Sequence, residues 1–84
     1  MVGRIVCSKS GRDKDYFMVI VSEADGFYFV CDGKARPLER PKKKNGLHLS
    51  FTNSYLKEDD FKTNRQLRKA LAVYRDSAKQ KEEL

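Results

Sequence analysis

Short runs of apolar residues, separated by polar turn segments, predict that the first two thirds of this chain are mainly β. Five segments carry the strand signal: residues 2–7, 16–21, 27–31, 36–40 and 47–51. The second and third runs are almost continuously apolar, as in strands that are covered on both faces. The fourth segment contains Pro37, and proline suits an edge strand. Five short strands at this spacing predict a small barrel.

From residue 63 onward the pattern changes to that of an amphipathic helix. Thr63 and Gln66 have the spacing of a capping box. One face of the projected helix is apolar and a neighbouring arc is basic. The apolar stripe comprises Leu67, Ala70, Leu71, Tyr74 and Ala78, and the basic arc comprises Arg65, Arg68, Lys69, Arg75 and Lys79. The sequence therefore predicts a barrel at residues 1–52, a linker at 53–62 and a helix at 63–84, whose stripe docks on the barrel or on a partner.

Length and composition limit what the chain can be. Its 84 residues fit one small domain with a modest core. No apolar run approaches the roughly 18 residues of a membrane span, and the N-terminus lacks a signal-peptide pattern. We expect a cytoplasmic protein without a membrane partner. Cys7 and Cys31 lie in apolar runs, which favours reduced core thiols over a disulfide or a reactive site.

Positive charge is concentrated in one segment. Residues 34–44 contain six cations and one acid, so this stretch carries five of the six net positive charges. Its basic residues are Lys34, Arg36, Arg40, Lys42, Lys43 and Lys44. A charge run is often only a solvated face. Here Pro37, Pro41 and the turn signal Asn45-Gly46 indicate an ordered loop, and an ordered cationic loop favours a polyanionic partner such as nucleic acid.

The polar segment after the first strand is a second candidate contact. Gly11 can adopt positive φ and so lets backbone N–H groups approach a phosphate. Lys9, Arg12 and Lys14 surround it. A plain hairpin connection is the competing interpretation, because Asp13 and Asp15 dilute the local charge.

Catalysis finds little support in the sequence. His48 is the only histidine, and no nucleophile and base share a recognisable motif. Two separated cysteines and one histidine cannot complete the usual zinc site. We therefore expect no enzyme activity, no metal, no cofactor and no small-molecule substrate.

An aromatic run at residues 26–30 partly matches the base-stacking strand of RNA-recognition and cold-shock domains. Asp25 stands where that motif has a basic residue, and Asp32 stands where it has a final aromatic ring. Packing of a small core explains these rings more simply.

Residues 2–20, a hydrophobic strand, a basic turn around Gly11 and a second strand, resemble a KOW motif. The similarity continues through Asp32-Gly33-Lys34 and residues 40–45 to His48-Leu49, which resemble the matching stretch of archaeal and eukaryotic large-subunit ribosomal proteins of the KOW class. It covers about residues 2–52 and leaves the helix unmatched. The resemblance implies an SH3-like barrel that binds ribosomal RNA.

Together these signals predict a mainly β protein, a five-stranded SH3-like barrel of KOW type with one C-terminal α-helix, that anchors structured RNA electrostatically. The expected RNA-binding residues are Lys9, Arg12, Lys14, Lys34, Arg36, Arg40, Lys42, Lys43, Lys44, Asn45 and His48. Arginine would supply bidentate contacts and lysine point charges. Two alternatives stay open: an adaptor that binds ribosomal or transcription proteins, and a DNA-binding module.

Overall fold

A computed structural model of the chain describes residues 1–11 and 14–82, with side chains described up to residue 77. Within these residues, five antiparallel strands form one sheet and one α-helix follows them, which confirms a mainly β protein with a C-terminal helix. The strands are β1 (Arg4–Ser8), β2 (Phe17–Ala24), β3 (Phe27–Cys31), β4 (Lys42–Asn45) and β5 (Leu49–Tyr55), and the helix is α1 (Asn64–Glu82). Their order across the sheet is β4-β3-β2-β1-β5.

The sheet is covered on both faces, which explains its nearly continuous apolar strands. Neighbouring residues of one strand point to opposite faces, so Ile5 and Val6 enter different clusters. One cluster contains Val6, Met18, Ile20, Val30 and Leu49. The other contains Ile5, Val19 and Cys31 from the sheet with Leu67 and Leu71 from α1. The helix stripe therefore packs on the face that carries Ile5, Val19 and Cys31, which we call the outer face. The opposite face, which carries Val6 and Met18, is the inner face.

Contacts across the inner face show that the sheet is curled. Tyr28 of β3 and Phe51 of β5 meet edge to face with ring centroids 5.4 Å apart, although two strands separate them in the sheet. Lys44 of β4 likewise reaches Ser8 of β1, with Nζ and Oγ 2.9 Å apart. Among the described residues, the hydrogen-bonded order ends at β4 and β5.

The fourth strand lies later in the chain than the sequence pattern indicates, so the prediction of a strand at residues 36–40 is wrong. That segment forms turns, because the Asp32 carboxylate accepts backbone hydrogen bonds from Lys34 and Arg36. Residues Lys42–Asn45 form β4 instead and pair with β3, with Lys42 opposite Val30. A strand without apolar residues has no hydrophobic period to reveal it, yet lysines suit an exposed edge strand.

The last strand is also displaced. Gly46–His48 forms a short 3₁₀ helix, and β5 then runs from Leu49 to Tyr55 rather than over residues 47–51. Asn45 caps this 3₁₀ helix, because its Oδ1 accepts a hydrogen bond from the Leu47 N–H at 3.0 Å. The Asn45-Gly46 signal thus marks a real change of direction.

The helix begins as its capping signal predicts. The Gln66 N–H donates to Thr63 Oγ1 at 3.1 Å, and the Thr63 N–H donates to Gln66 Oε1 at 3.2 Å. A 3₁₀ helix, Glu58–Phe61, precedes α1, and Phe61 packs against the core shared by sheet and helix. The division into barrel, linker and helix stays a prediction. Ala78 and Lys79, predicted on the stripe and the basic arc, lie outside the described side chains.

Within residues 1–11 and 14–82, no helix combines the length and the apolar character needed to cross a membrane.

Candidate nucleic-acid interface

Antiparallel pairing brings the two basic turns of the sequence to one end of the sheet. Cys7 at the end of β1 lies opposite Phe17 at the start of β2. Cys31 at the end of β3 pairs with β2, and Lys42 at the start of β4 pairs with β3. The turn at residues 9–16 and the loop at residues 32–41 are therefore neighbours. We call them the cationic end, with the described cations Lys9, Lys14, Lys34, Arg36 and Arg40.

Backbone hydrogen bonds close the first turn. The Asp15 N–H donates to the Ser8 carbonyl at 2.8 Å, and the Ser8 N–H donates to the Tyr16 carbonyl at 3.1 Å. Gly11 has a φ of +75°, which confirms its predicted left-handed conformation. Asp15 also has positive φ, at 70°. The described parts of this turn, residues 9–11 and 14–16, are thus held by specific backbone hydrogen bonds and conformations.

The cations of this turn face solvent where they are described. Lys9 and Lys14 are both exposed. The Lys9 N–H donates to the His48 carbonyl at 2.8 Å, which places exposed His48 beside the turn. Arg12 lies outside the described residues.

The second loop is organised by one aspartate. Asp32 Oδ1 accepts from the N–H groups of Lys34 and Arg36, both at 2.8 Å. The Arg36 carbonyl in turn accepts from the Asp32 N–H at 2.9 Å, and the Arg40 N–H donates to the Pro37 carbonyl at 2.9 Å. Lys34 and Arg40 are exposed on this loop and Arg36 is half-buried.

The N-terminal end of α1 packs against the loop at residues 32–41 and forms hydrogen bonds with it. Gly33 has a φ of +81°, and a Cβ at this position would lie 2.5 Å from the Asn64 carbonyl oxygen. Asn64 Oδ1 accepts from the Leu38 N–H at 2.7 Å, and Asn64 Nδ2 donates to the Glu39 carboxylate at 2.9 Å. Sequence analysis named Gly33 only within the KOW-like stretch and did not name Asn64, because nothing in the sequence pattern distinguishes Asn64 as a residue that contacts the loop.

The three consecutive lysines of β4 have different environments, because side chains alternate along a strand. Lys43 is exposed, and its Nζ lies 4.3 Å from the Phe27 ring centroid. Lys42 is half-buried. Lys44 is only 7% exposed, and its Nζ donates to Ser8 Oγ and to the Ser10 carbonyl at 3.2 Å. The Lys44 ammonium therefore ties β4 to the turn after β1.

The two cysteines are free thiols, of which Cys31 is buried and Cys7 is half-buried. Burial, with smaller contributions from Asp32 and Glu39, raises the pKa of Cys31 to about 11. Burial and the Asp15 carboxylate raise the pKa of Cys7 as well. Both side chains are therefore thiols at neutral pH, and the thiolate is the form that attacks electrophiles.

Comparison of the chain with models of known protein families gives no match, and neither does comparison with curated protein sequences. The functional argument therefore rests on the cationic end itself, with the KOW resemblance as an expectation beside it.

Proposed function

We propose that this protein is a cytoplasmic RNA-binding module, an SH3-like barrel of KOW type that anchors structured, ribosomal RNA at its cationic end. One observation carries the proposal: exposed cations from two separate turns meet at one end of the sheet on a hydrogen-bonded backbone. The proposed activity is binding without catalysis.

The electrostatics of the cationic end support a polyanion as the partner. Its described part holds five cations against the carboxylates of Asp15, Asp32 and Glu39. Asp32 is hydrogen-bonded to the loop backbone, and Glu39 is hydrogen-bonded to the Asn64 amide. These two carboxylates therefore serve the architecture of the loop. A preformed set of cations releases counterions from RNA without first paying to order its own loops.

We assign the candidate residues different roles in RNA binding according to their exposure and hydrogen bonds. Lys9, Lys14 and Arg40 are exposed and suit phosphate contacts. Arg36 combines a backbone role in the loop with a half-buried side chain, which suits a fixed arginine fork. The Lys44 ammonium stabilises the turn at residues 9–16 through its hydrogen bonds to Ser8 and Ser10. Four other candidates would add further RNA contacts from β4 and the 3₁₀ helix that follows it: Lys42, Lys43, Asn45 and His48.

A salt titration tests the proposal. Lys9, Lys14 and Arg40 are changed together to Gln, and binding to a ribosomal RNA fragment is measured over a range of salt concentrations. The slope of log K against log salt should fall in magnitude by about 2 to 3, because each lost phosphate contact removes roughly 0.7 to 0.9 of a counterion. The matched control changes exposed Lys62, Arg65 and Lys69 to Gln, which removes the same charge from the region of α1.

An unchanged slope in the first variant, with the fold intact, would contradict the proposal. An equal fall of the slope in both variants would show that RNA binding depends on net charge and not on the cationic end. Binding that survives high salt would favour the adaptor alternative, and stronger competition by duplex DNA than by structured RNA would favour the DNA-binding alternative.

A further inference from the structure

A cleft of about 660 Å³ lies where the cationic end meets the helix. Three segments enclose it: the start of β2, the loop after β3 and the face of α1 that follows its first turn. Its lining includes Tyr16, Lys34, Arg68, Leu71 and Arg75. The volume lies within the range of sites that enclose a small organic ligand.

The cleft combines an exposed ring with cations from two separate segments. Tyr16 is 52% exposed although it lies beside the buried part of β2. Arg68 and Arg75 are seven residues apart on α1, so they lie on the same side of the helix. Lys34 lines the same cleft from the loop after β3. A ring and cations that line one cleft can bind a nucleobase by stacking and its phosphate by charge.

Acceptors in the same cleft argue for a nucleotide rather than a bare anion. Asp15 also lines the cleft, as does Asp32, whose Oδ1 already accepts from the N–H groups of Lys34 and Arg36. Carboxylates repel a free phosphate, but they can accept hydrogen bonds from the amino groups of bases. The lining thus fits a ligand that carries donors at one end and negative charge at the other.

Packing of the helix on the loop fixes the width of the cleft. A Cβ on Gly33 would lie 3.1 Å from Arg68 Cγ, so the stem of Arg68 rests directly on the loop that carries Lys34. The cationic walls of the cleft are thereby held together in the folded protein.

From these observations we infer that the cleft receives one unpaired nucleotide of the bound RNA, with its base against Tyr16 and its phosphate between Arg68 and Arg75. The inference rests on the proposed function, because Lys34 belongs both to the cleft and to the cationic end. A base inside a duplex cannot enter such a cleft, so the protein should prefer RNA with a bulged or looped-out nucleotide.

Two hairpins with the same stem, one fully paired and one with a single-nucleotide bulge, test the inference. The wild-type protein should bind the bulged hairpin roughly 5- to 150-fold more tightly, as expected for one stacked base. Changing Arg68 and Arg75 together to Gln should abolish most of this preference. The control pair, Arg65 and Lys69 changed to Gln, has the same charge and the same helix but lies outside the cleft, and should keep the preference.

The ring is tested separately. Tyr16→Ala should lose the preference for the bulge and Tyr16→Phe should retain it, with thermal unfolding used to confirm that both variants are folded. Equal binding of the two hairpins by the wild-type protein would overturn the cleft inference and leave the proposed function standing. Failure to bind either hairpin would overturn both. Loss of the preference in the Arg65 and Lys69 variant would show that overall charge, and not the cleft, selects the bulged RNA.

Discussion

At the scale of single residues, the adjacent lysines Lys43 and Lys44 of β4 have different environments and different roles. Lys43 holds its ammonium at the surface over an aromatic ring, whereas the stem of Lys44 is buried and its ammonium donates to two oxygens near the end of β1. Lysine can do this because its aliphatic stem packs like an apolar side chain while its tip reaches polar groups. Charge counting alone treats the two residues as equivalent.

Lys44→Ala should therefore lower the free energy of unfolding by roughly 2 to 4 kcal/mol, since it removes buried stem contacts and hydrogen bonds together. Lys43→Ala should cost only about 0.5 to 1 kcal/mol, the range of an exposed cation–π contact. Urea unfolding measures both values. Equal losses in the two variants would show that the buried ammonium has no special role in stability.

At the scale of secondary-structure elements, the contact between α1 and the loop after β3 positions the candidate site. Gly33 makes this contact possible because α1 passes over it at backbone distance. Any side chain there would push the helix away from the loop, and the cations of both elements would separate.

The contact can be tested with two glycines that share a conformation. Gly33 and Gly26 have φ values of +81° and +82°, but a Cβ on Gly26 would meet nothing within 4 Å. Gly26→Ala should thus cost only the backbone strain, about 1 kcal/mol. Gly33→Ala should cost roughly 1 to 3 kcal/mol more, because a close contact adds to the same strain. Thermal unfolding of both variants provides the comparison, and similar melting temperatures would contradict the close packing inferred here.

How far the elements could be predicted depended on whether hydrophobic side chains marked them. The strands at residues 16–21 and 27–31 and the helix start at Thr63 follow from apolar runs and a capping box, and the structure confirms them within a few residues. β4 was not predicted because the sequence Lys-Lys-Lys-Asn has no apolar period. Its extended conformation is stabilised by pairing with β3.

The candidate site was predictable in composition but not in arrangement. The basic segments were visible in the sequence, whereas their meeting at one end depends on strand pairing between distant residues. The roles of Asn64 and Gly33 depend on helix docking, which no local pattern encodes. The cleft beside Tyr16 was missed for the same reason, since its walls come from three separate segments.

At the scale of the whole molecule, sheet and helix share one core. Leu67 and Leu71 of α1 bury Ile5, Val19 and Cys31, and these five residues form a single cluster. Removal of the helix would expose three fully or almost fully buried side chains of the sheet. We therefore expect the sheet and α1 to unfold together.

The thiol of Cys31 lies inside this shared core and should make global stability depend on pH. Its pKa is raised from 9.0 to about 11 in the folded protein. Between these values an unfolded chain loses the thiol proton while the folded chain keeps it. The unfolded state then binds fewer protons, so the free energy of unfolding should fall as the pH rises from about 9 to 11 and should be unaffected by this thiol below that range.

Cys31→Ala isolates this contribution, because the two proteins differ only in the presence of this thiol. Urea unfolding under reducing conditions should show a larger stability loss between about pH 8 and pH 10.5 for the wild-type protein than for the variant. The variant starts from a lower stability, since it lacks the buried sulfur and its contact with the Pro37 carbonyl at 3.5 Å. Parallel pH profiles would mean that the Cys31 thiol ionises as easily in the folded protein as in the unfolded chain, and that α1 does not seal it from water.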